Sequence, residues 1–299
     1  MEKGRFAPSP TGRMHLGNVF SALLSWLSVK SRGGEWLLRI EDIDPGRSRQ
    51  AYADMLMDDL LWLGLEWDGQ PVYQSQRSDI YAYYFRKLSE QGLTYPCYCT
   101  RADLLATQAP HESDGRVVYK GTCRHLPLRP GVAAATRLIV PDEVVSFTDG
   151  HYGEHGVNLA TQVGDFIIRR KDGAWAYQLA VVVDDALMGI TEVVRGRDLL
   201  LSSPQQMYVA RLLGFASPRF IHLPLLCNQA GQRLSKRDQS LDMETLRLQH
   251  TAPEIIGRLA FLAGLIPECQ PVTPQELVGS FSWDKVPVED IELLCNDKK

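Results

Sequence analysis

Apolar positions along this chain recur with two different periods. From Leu16 to Val29 they fall at helical spacing and Gly33-Gly34 closes the segment, so the pattern predicts a helix over 16–31. Trp36-Leu37-Leu38-Arg39-Ile40 is the near-continuous apolar run that a parallel strand buried on both faces requires, and 4–8 and 35–41 read as strands flanking that helix. The result is one βαβ unit. Helical spacing returns over 49–63, where Met55, Leu56, Leu60 and Leu63 share a face, and over 79–91. From residue 94 to 160 cysteine, histidine, proline and glycine gather, and this stretch reads as an insertion. Strands are predicted at 165–170, 176–183, 192–195 and 220–226, with Trp175 and Tyr177 on one face of the second. Ser203-Pro204-Gln205-Gln206 reads as a capping box opening a helix to Leu213. Thr273-Pro274-Gln275-Glu276 repeats that signature in a tail whose pattern is helical, 253–265 included.

Composition narrows the class. A chain of 299 residues that is 44% hydrophobic and 23% charged can bury a sizeable core. No apolar stretch approaches the roughly 20 residues of a membrane span, and Glu2, Lys3 and Arg5 stand where a signal peptide would be apolar, so cytoplasmic residence without a membrane partner is expected. Six cysteines are too few for a disulfide framework, and Cys97 and Cys99 sit one residue apart, which suits a metal better than a bridge. A net charge of −4 gives no global pull toward nucleic acid; Arg116, Lys120, Arg124 and Arg129 form a candidate local basic face.

Two segments far apart carry the chemistry. Arg5-Phe6-Ala7-Pro8-Ser9-Pro10-Thr11-Gly12 runs into His15-Leu16-Gly17-Asn18, where glycines let backbone approach a phosphate and the following helix points its N-terminus at the anion. Leu234-Ser235-Lys236 lies in a loop beginning at Gly231. Together they suit an adenylate-forming site. With R-I-E-D-I-D at 39–44 and V-R-G-R-D at 194–198, these motifs resemble, in order and spacing over residues 4 to about 240, the catalytic domain of glutamyl-tRNA synthetases. The resemblance implies an α/β fold of the Rossmann type found in class I aminoacyl-tRNA synthetases. It divides the chain into a first catalytic half (1–93), a zinc-bearing insertion (94–160), a second half with the K-M-S-K-S-like loop (161–240) and a short helical C-terminal region (241–299). Asn18 stands where that family often has a second histidine, and Arg233 and Arg237 replace the outer residues of K-M-S-K-S.

Amino-acid activation uses the substrate's own carboxylate as nucleophile on the α-phosphate of ATP, so the protein must supply positioning and positive charge. His15 can donate to phosphate oxygens, and Lys236 can neutralise charge on departing pyrophosphate. His15, Gly17, Asn18 and Lys236 are therefore the candidate ATP residues, and Mg²⁺ accompanies ATP. Arginine's planar fork matches a carboxylate, which selects Arg5 and Arg195 for glutamate. The resemblance adds the lining segment Phe6, Ala7, Pro8 and Ser9, with Glu41 for the α-amino group and Tyr177 for a hydroxyl near the ligand.

Cys97, Cys99 and Cys123 offer three soft ligands, and a structural zinc takes four. His111, Tyr119 and His125 are all near enough in sequence to be the fourth, and a metal-free reduced cluster is the alternative. Similarity to glutamyl-type synthetases with C-x-C…Y-x-x-x-C points to Tyr119. The 62 residues after Arg237 are too few for the anticodon-reading domain of full-length glutamyl-tRNA synthetases. In this the chain resembles a shortened bacterial branch of the family whose reaction places activated glutamate on queuosine in the anticodon loop of tRNA(Asp). The expected partners are then L-glutamate, ATP and that tRNA, with the protein a monomer. A minimal enzyme charging the 3′ end, and a non-catalytic RNA-binding module, are the other readings.

Overall fold

β1 (Lys3–Phe6) and β2 (Glu35–Ile40) pair in parallel, Lys3 opposite Glu35 through Phe6 opposite Leu38, with α1 (Leu16–Lys30) between them. The coordinates are a computed structural model that describes residues 1–100, 103, 118–228, 231–232, 234 and 241–293. α2 (Gln50–Trp62) follows, and β3 (Val72–Tyr73) joins the far side of β2 in parallel. α3 (Ser78–Glu90) leads to an antiparallel sheet in which β5 (Ala135–Leu138) lies between β4 (Thr94–Cys97) and β8 (Phe166–Arg169). The hairpin β6 (Val144–Asp149) and β7 (Gly153–Asn158) ends in the short α4 (Leu159–Gln162).

α5 (Tyr177–Leu187) precedes β9 (Glu192–Gly196), and α6 (Ser202–Leu213) joins β9 to its parallel partner β10 (Arg219–Leu223). β9 runs beside β1: the Thr191 N–H donates to the Lys3 carbonyl and Arg5 donates to the Val194 carbonyl. β11 (Leu226–Cys227) pairs with β12 (Ile291–Glu292), and α7 (Met243–Gln249), α8 (Ala252–Leu262) and α9 (Pro274–Leu277) lie between. Leu16, Leu23, Leu27, Trp36 and Leu60 share one core with Met243, Ile256, Leu259 and Leu277, so the later helices close the apolar face of the first βαβ unit. A second core joins α3, β8, α5 and α6 through Tyr81, Ile168, Val183 and Val209.

Two sequence expectations are corrected. Residues 176–183 are not a strand but the start of α5, and Tyr177 is its first residue, so it does not share a strand face with Trp175. The β-branched run Val181-Val182-Val183 favours a strand, yet every side chain from Leu179 to Asp185 is buried, and an unbroken apolar run suits a buried helix as well. Packing against α3, β8 and α6 decides for the helix. The second correction concerns the proposed capping box. α6 is capped by Leu201 without a side-chain bond, while Ser203 and Gln206 accept hydrogen bonds from Arg195 instead. A buried guanidinium is the stronger donor and takes both side chains from the helix end. The box at Thr273 does form, as does another between Thr251 and Glu254.

Candidate active site

The parallel strands deliver their C-terminal ends to one place. Arg5 and Phe6 close β1, β2 runs out into Glu41, and β9 ends in Arg195 and Gly196; these ends border a cavity of about 510 Å³. Open α/β sheets bind ligands beyond the carboxyl ends of their strands, where loops and helix N-termini converge. Arg5, Phe6, Ala7, Pro8, Ser9, His15, Gly17, Asn18, Glu41, Tyr177 and Arg195 all line this cavity. Leu234 reaches it too, whereas Lys236, with Arg233 and Arg237, lies outside the described residues.

His15 is the extended residue that caps α1, and its backbone N–H donates to Asn18 Oδ1 at 3.1 Å. The first turn of α1 holds no acidic side chain, so its positive end stays available to an anion. A Cβ on Gly17 would stand 3.1 Å from Cε1 and Nδ1 of the His15 ring, so glycine here gives the imidazole room against the helix start. The Met243 N–H donates to the Met14 carbonyl at 2.9 Å, which ties the chain just past the 231–240 segment to this motif.

The inner wall is charged. Arg39 is fully buried and donates to Asp185 at 2.6 Å and to Glu41 at 3.3 Å. Arg5 donates through Nε to Asp185 at 3.3 Å and through Nη1 to the Val194 carbonyl at 3.4 Å, and its Nη2 has no hydrogen bond among the described residues. Burial alone would raise the Asp185 carboxyl, but the Arg39 and Arg5 cations outweigh it and hold its pKa below the ordinary value. Burial does win at Glu41, whose pKa lies above its ordinary value despite Arg39.

Among the described residues, Arg195 is bonded only to uncharged or backbone acceptors. It donates to His222 Nε2 at 3.1 Å, Tyr177 Oη at 3.4 Å, Gln206 Oε1 at 2.8 Å, the Leu199 carbonyl at 3.3 Å and Ser203 Oγ at 2.8 Å. Burial without a carboxylate partner lowers its pKa from the usual guanidinium value. Because Tyr177 accepts from Arg195, its own proton is left to donate to a ligand in the cavity. Asp184 is matched by Arg77 at 2.6 Å, which leaves Arg5, Arg39 and Arg195 against Asp185 and Glu41. Among these five groups three cations meet two carboxylates, while a further carboxylate, Asp198, and Arg13, itself paired with Asp59, also line the cavity.

Asp184, Asp185, Ser203, Gln206 and His222 were not anticipated. The first two carried a signal, since Asp-Asp inside the apolar run from Leu179 to Leu187 marks buried charge that needs partners.

Away from the cavity, the Sγ atoms of Cys97, Cys99 and Cys123 lie within 4.8 Å of one another. The Tyr119 phenol stands 3.4 Å from Cys97 Sγ and 3.6 Å from Cys99 Sγ, and it accepts the Cys123 backbone N–H at 2.8 Å. Three thiols and a phenol, mostly buried, form a donor set that suits a soft or borderline dication, and this cluster could hold a metal. His125 is exposed and does not belong to the cluster, and His111 lies outside the described residues. In the proposed basic face, Arg124 is already paired with Asp165 at 2.6 Å, Lys120 and Arg129 are exposed, and Arg116 lies outside the described residues.

A family model for the catalytic domain of class I tRNA synthetases (E and Q) matches residues 3–287. The chain belongs to this family. Within the synthetases, it is 45% identical to a glutamyl-Q tRNA(Asp) synthetase of Nitratidesulfovibrio vulgaris over 97% of this chain and 95% of that one. It is 44% identical to the protein of the same name from Symbiobacterium thermophilum, with the same coverage. A relative so named in Neisseria meningitidis serogroup C is 42% identical over 96% of this chain and 98% of its own. Among solved structures, a glutamate tRNA ligase from Elizabethkingia meningosepticum, crystallised in complex with its amino acid, superposes with a TM-score of 0.83 at 26% identity. It covers 99% of this chain and 67% of the ligase. As a class I synthetase the protein is a ligase with the α/β catalytic fold, and no helix among its described residues is long and apolar enough to cross a membrane.

Proposed function

We propose that the protein activates L-glutamate with ATP to glutamyl-adenylate and transfers the glutamate to the queuosine base in the anticodon loop of tRNA(Asp), a cytoplasmic reaction. The observation that carries the activation step is the cavity that Arg5, Arg195, Glu41 and the start of α1 line together. Glutamate brings two carboxylates and one ammonium, groups that the arginines and Glu41 of that cavity complement. Arg5 Nη2 and the Tyr177 hydroxyl, with the Arg195 charge behind it, receive a carboxylate; Glu41 receives the ammonium. The α-carboxylate then attacks the α-phosphorus, the bond to the bridging oxygen breaks, and pyrophosphate leaves. His15 at the α1 N-terminus and Lys236 are assigned to the phosphates, and synthetases of this class use ATP with Mg²⁺. In the second step a hydroxyl of the cyclopentenediol attacks the acyl carbon and AMP leaves.

The choice of acceptor rests on relatives that match along 95–98% of their own length and are named glutamyl-Q tRNA(Asp) synthetase. It is tested by nuclease mapping of radioactive glutamate on tRNA(Asp). Label in the anticodon loop is expected, and label at the 3′-terminal adenosine favours an enzyme that charges the acceptor end and overturns this assignment.

Cys97, Cys99, Tyr119 and Cys123 are assigned to one structural zinc, which would fix the fold of residues 94–160 without taking part in the chemistry. None of the four lines the cavity. The purified protein should hold about one zinc per chain, and a Cys99→Ser/Cys123→Ser variant below about 0.1, with glutamate-dependent ATP–pyrophosphate exchange kept within about threefold. Metal analysis that finds equal zinc in both proteins removes the assignment.

A further inference from the structure

Behind Arg195 lies a second layer of polar groups that nothing in the reaction uses. His222, the fourth residue of β10, is completely buried, as is Asp149 at the end of β6. The His222 Nδ1 atom lies 2.6 Å from Asp149 Oδ2, and its Nε2 atom lies 3.1 Å from Arg195 Nε. These neighbours leave one tautomer. A carboxylate only accepts, so Nδ1 must carry the proton, and a guanidinium only donates, so Nε2 must offer a lone pair. Ser203 Oγ, 3.4 Å from the same Nε2, can play either part and does not alter this.

We propose that His222 is a positioning residue for the amino-acid site: Asp149 holds it in the Nδ1–H tautomer, so that its Nε2 lone pair receives Arg195 Nε–H and aims the guanidinium into the cavity. The proposal rests on the reading of that cavity as a glutamate site. The geometry gives the bond a specific purpose. Nε is the one donor on the stem side of the guanidinium plane, so fixing it sets how both Nη groups present themselves to Tyr177, Gln206 and Ser203, and where the charge lies behind the Tyr177 hydroxyl. The imidazole must be neutral for this, and its surroundings make it so. Burial, with Arg195 and His155 nearby, disfavours the imidazolium and outweighs the Asp149 carboxylate, which alone would favour it, and the pKa falls below its ordinary 6.5. A protonated ring would place a donor against Arg195 Nε.

Asp149 is itself over-determined. It accepts from the backbone N–H groups of His151 and Tyr152 at 3.0 Å each and from that of His222 at 3.2 Å. The turn it caps comes close to β10 because Gly150 has no side chain: a Cβ there would stand 2.6 Å from Ile221 Cγ1, and the Gly150 N–H donates to the Phe220 carbonyl. Beyond the turn, His151 Nε2 is 3.0 Å from the Pro287 carbonyl and the Tyr152 hydroxyl donates to the Val288 carbonyl. The hairpin of the 94–160 stretch thus reaches the amino-acid site through the His222 imidazole, beside the apolar contact of Phe147 with Phe220, whose ring lies under the Arg195 guanidinium.

Three readouts test this. Nitrogen-15 NMR of the labelled full-length protein at pH 7 should show His222 neutral with its proton on Nδ1; an Nε2–H tautomer or an imidazolium overturns the proposal whatever the substrate proves to be. In glutamate-dependent ATP–pyrophosphate exchange, His222→Asn keeps a donor toward Asp149 but cannot reach Arg195, and its KM for glutamate should rise by about tenfold or more with the KM for ATP within about twofold. His222→Gln places an acceptor near the Nε2 position and should stay within about threefold of wild type. Equal damage in both variants, or an unchanged KM in His222→Asn, overturns the positioning role. If the wild-type protein shows no glutamate-dependent exchange, the glutamate reading fails instead, and the tautomer measurement still decides the relay.

Discussion

Replacing Arg195 by lysine is expected to lower kcat/KM for glutamate by about a hundredfold to a thousandfold in ATP–pyrophosphate exchange, with little change in the KM for ATP. The size follows from what the guanidinium holds. All of its N–H groups are engaged, through Nε to His222, Nη1 to Tyr177 and Gln206, and Nη2 to Ser203 and the Leu199 carbonyl. An ammonium has three donors and no plane, so at least two of these buried acceptors lose their partner and Tyr177 loses the donor that orients its hydroxyl. A misaligned cation at a desolvated carboxylate costs about 3–4 kcal/mol, which is the rate loss stated. On the proposed assignment of Arg195 to glutamate, the loss should appear mainly in its KM. A loss below about tenfold would falsify the assignment of Arg195 to the ligand.

The second large effect is on stability. Asp184 is completely buried on α5 and accepts from Gln74 Nε2 at 2.7 Å, Arg77 Nε at 2.6 Å and Tyr81 Oη at 2.7 Å, with Arg39 Nε at 3.9 Å. Asp184→Ala removes the acceptor shared by three donors, one of them a cation, and two of the three, Gln74 and Tyr81, are buried. Breaking one side of a buried ion pair costs about 3–5 kcal/mol because the remaining charge is left without compensation. At about 2–4 °C per kcal/mol for a chain of this order of size, the melting temperature should fall by roughly 10 °C. Calorimetry that finds a fall below about 2 °C would show that Arg77 and Tyr81 find other partners. Since Asp184 does not line the cavity, the folded fraction of the variant should retain glutamate-dependent exchange.

Local chemistry made a good part of this protein legible. The βαβ start was readable because α1 and β2 have different apolar periods and little else competes for them. The cavity residues of the first motif were readable because they are contiguous, so chain connectivity alone brings Arg5 to Ser9 and His15 to Asn18 together. The same logic failed at 176–183, where a fully apolar run carries no period, and at Ser203, where a cap was predicted from neighbours in sequence while the deciding partner, Arg195, comes from the adjacent strand. Tyr119, by contrast, could be selected by resemblance but not by spacing. It stands at the thiols because the chain returns beside Gly164, a contact no local pattern records.

The sequence by itself determined which groups exist and which are held together along the chain: the segment from Arg5 to Asn18, Arg39 and Arg195, the three cysteines and the first βαβ unit. Only the tertiary structure decided how those groups are charged and aimed. Arg5 and Arg195 are both arginines in sequence, but one is tethered by Asp185 and the other by an imidazole, a phenol, an amide and a hydroxyl. The physical reason is that burial and the sign of the nearest partner set a group's electrostatic character, and both are properties of residues as distant as Asp149, Asp185 and His222.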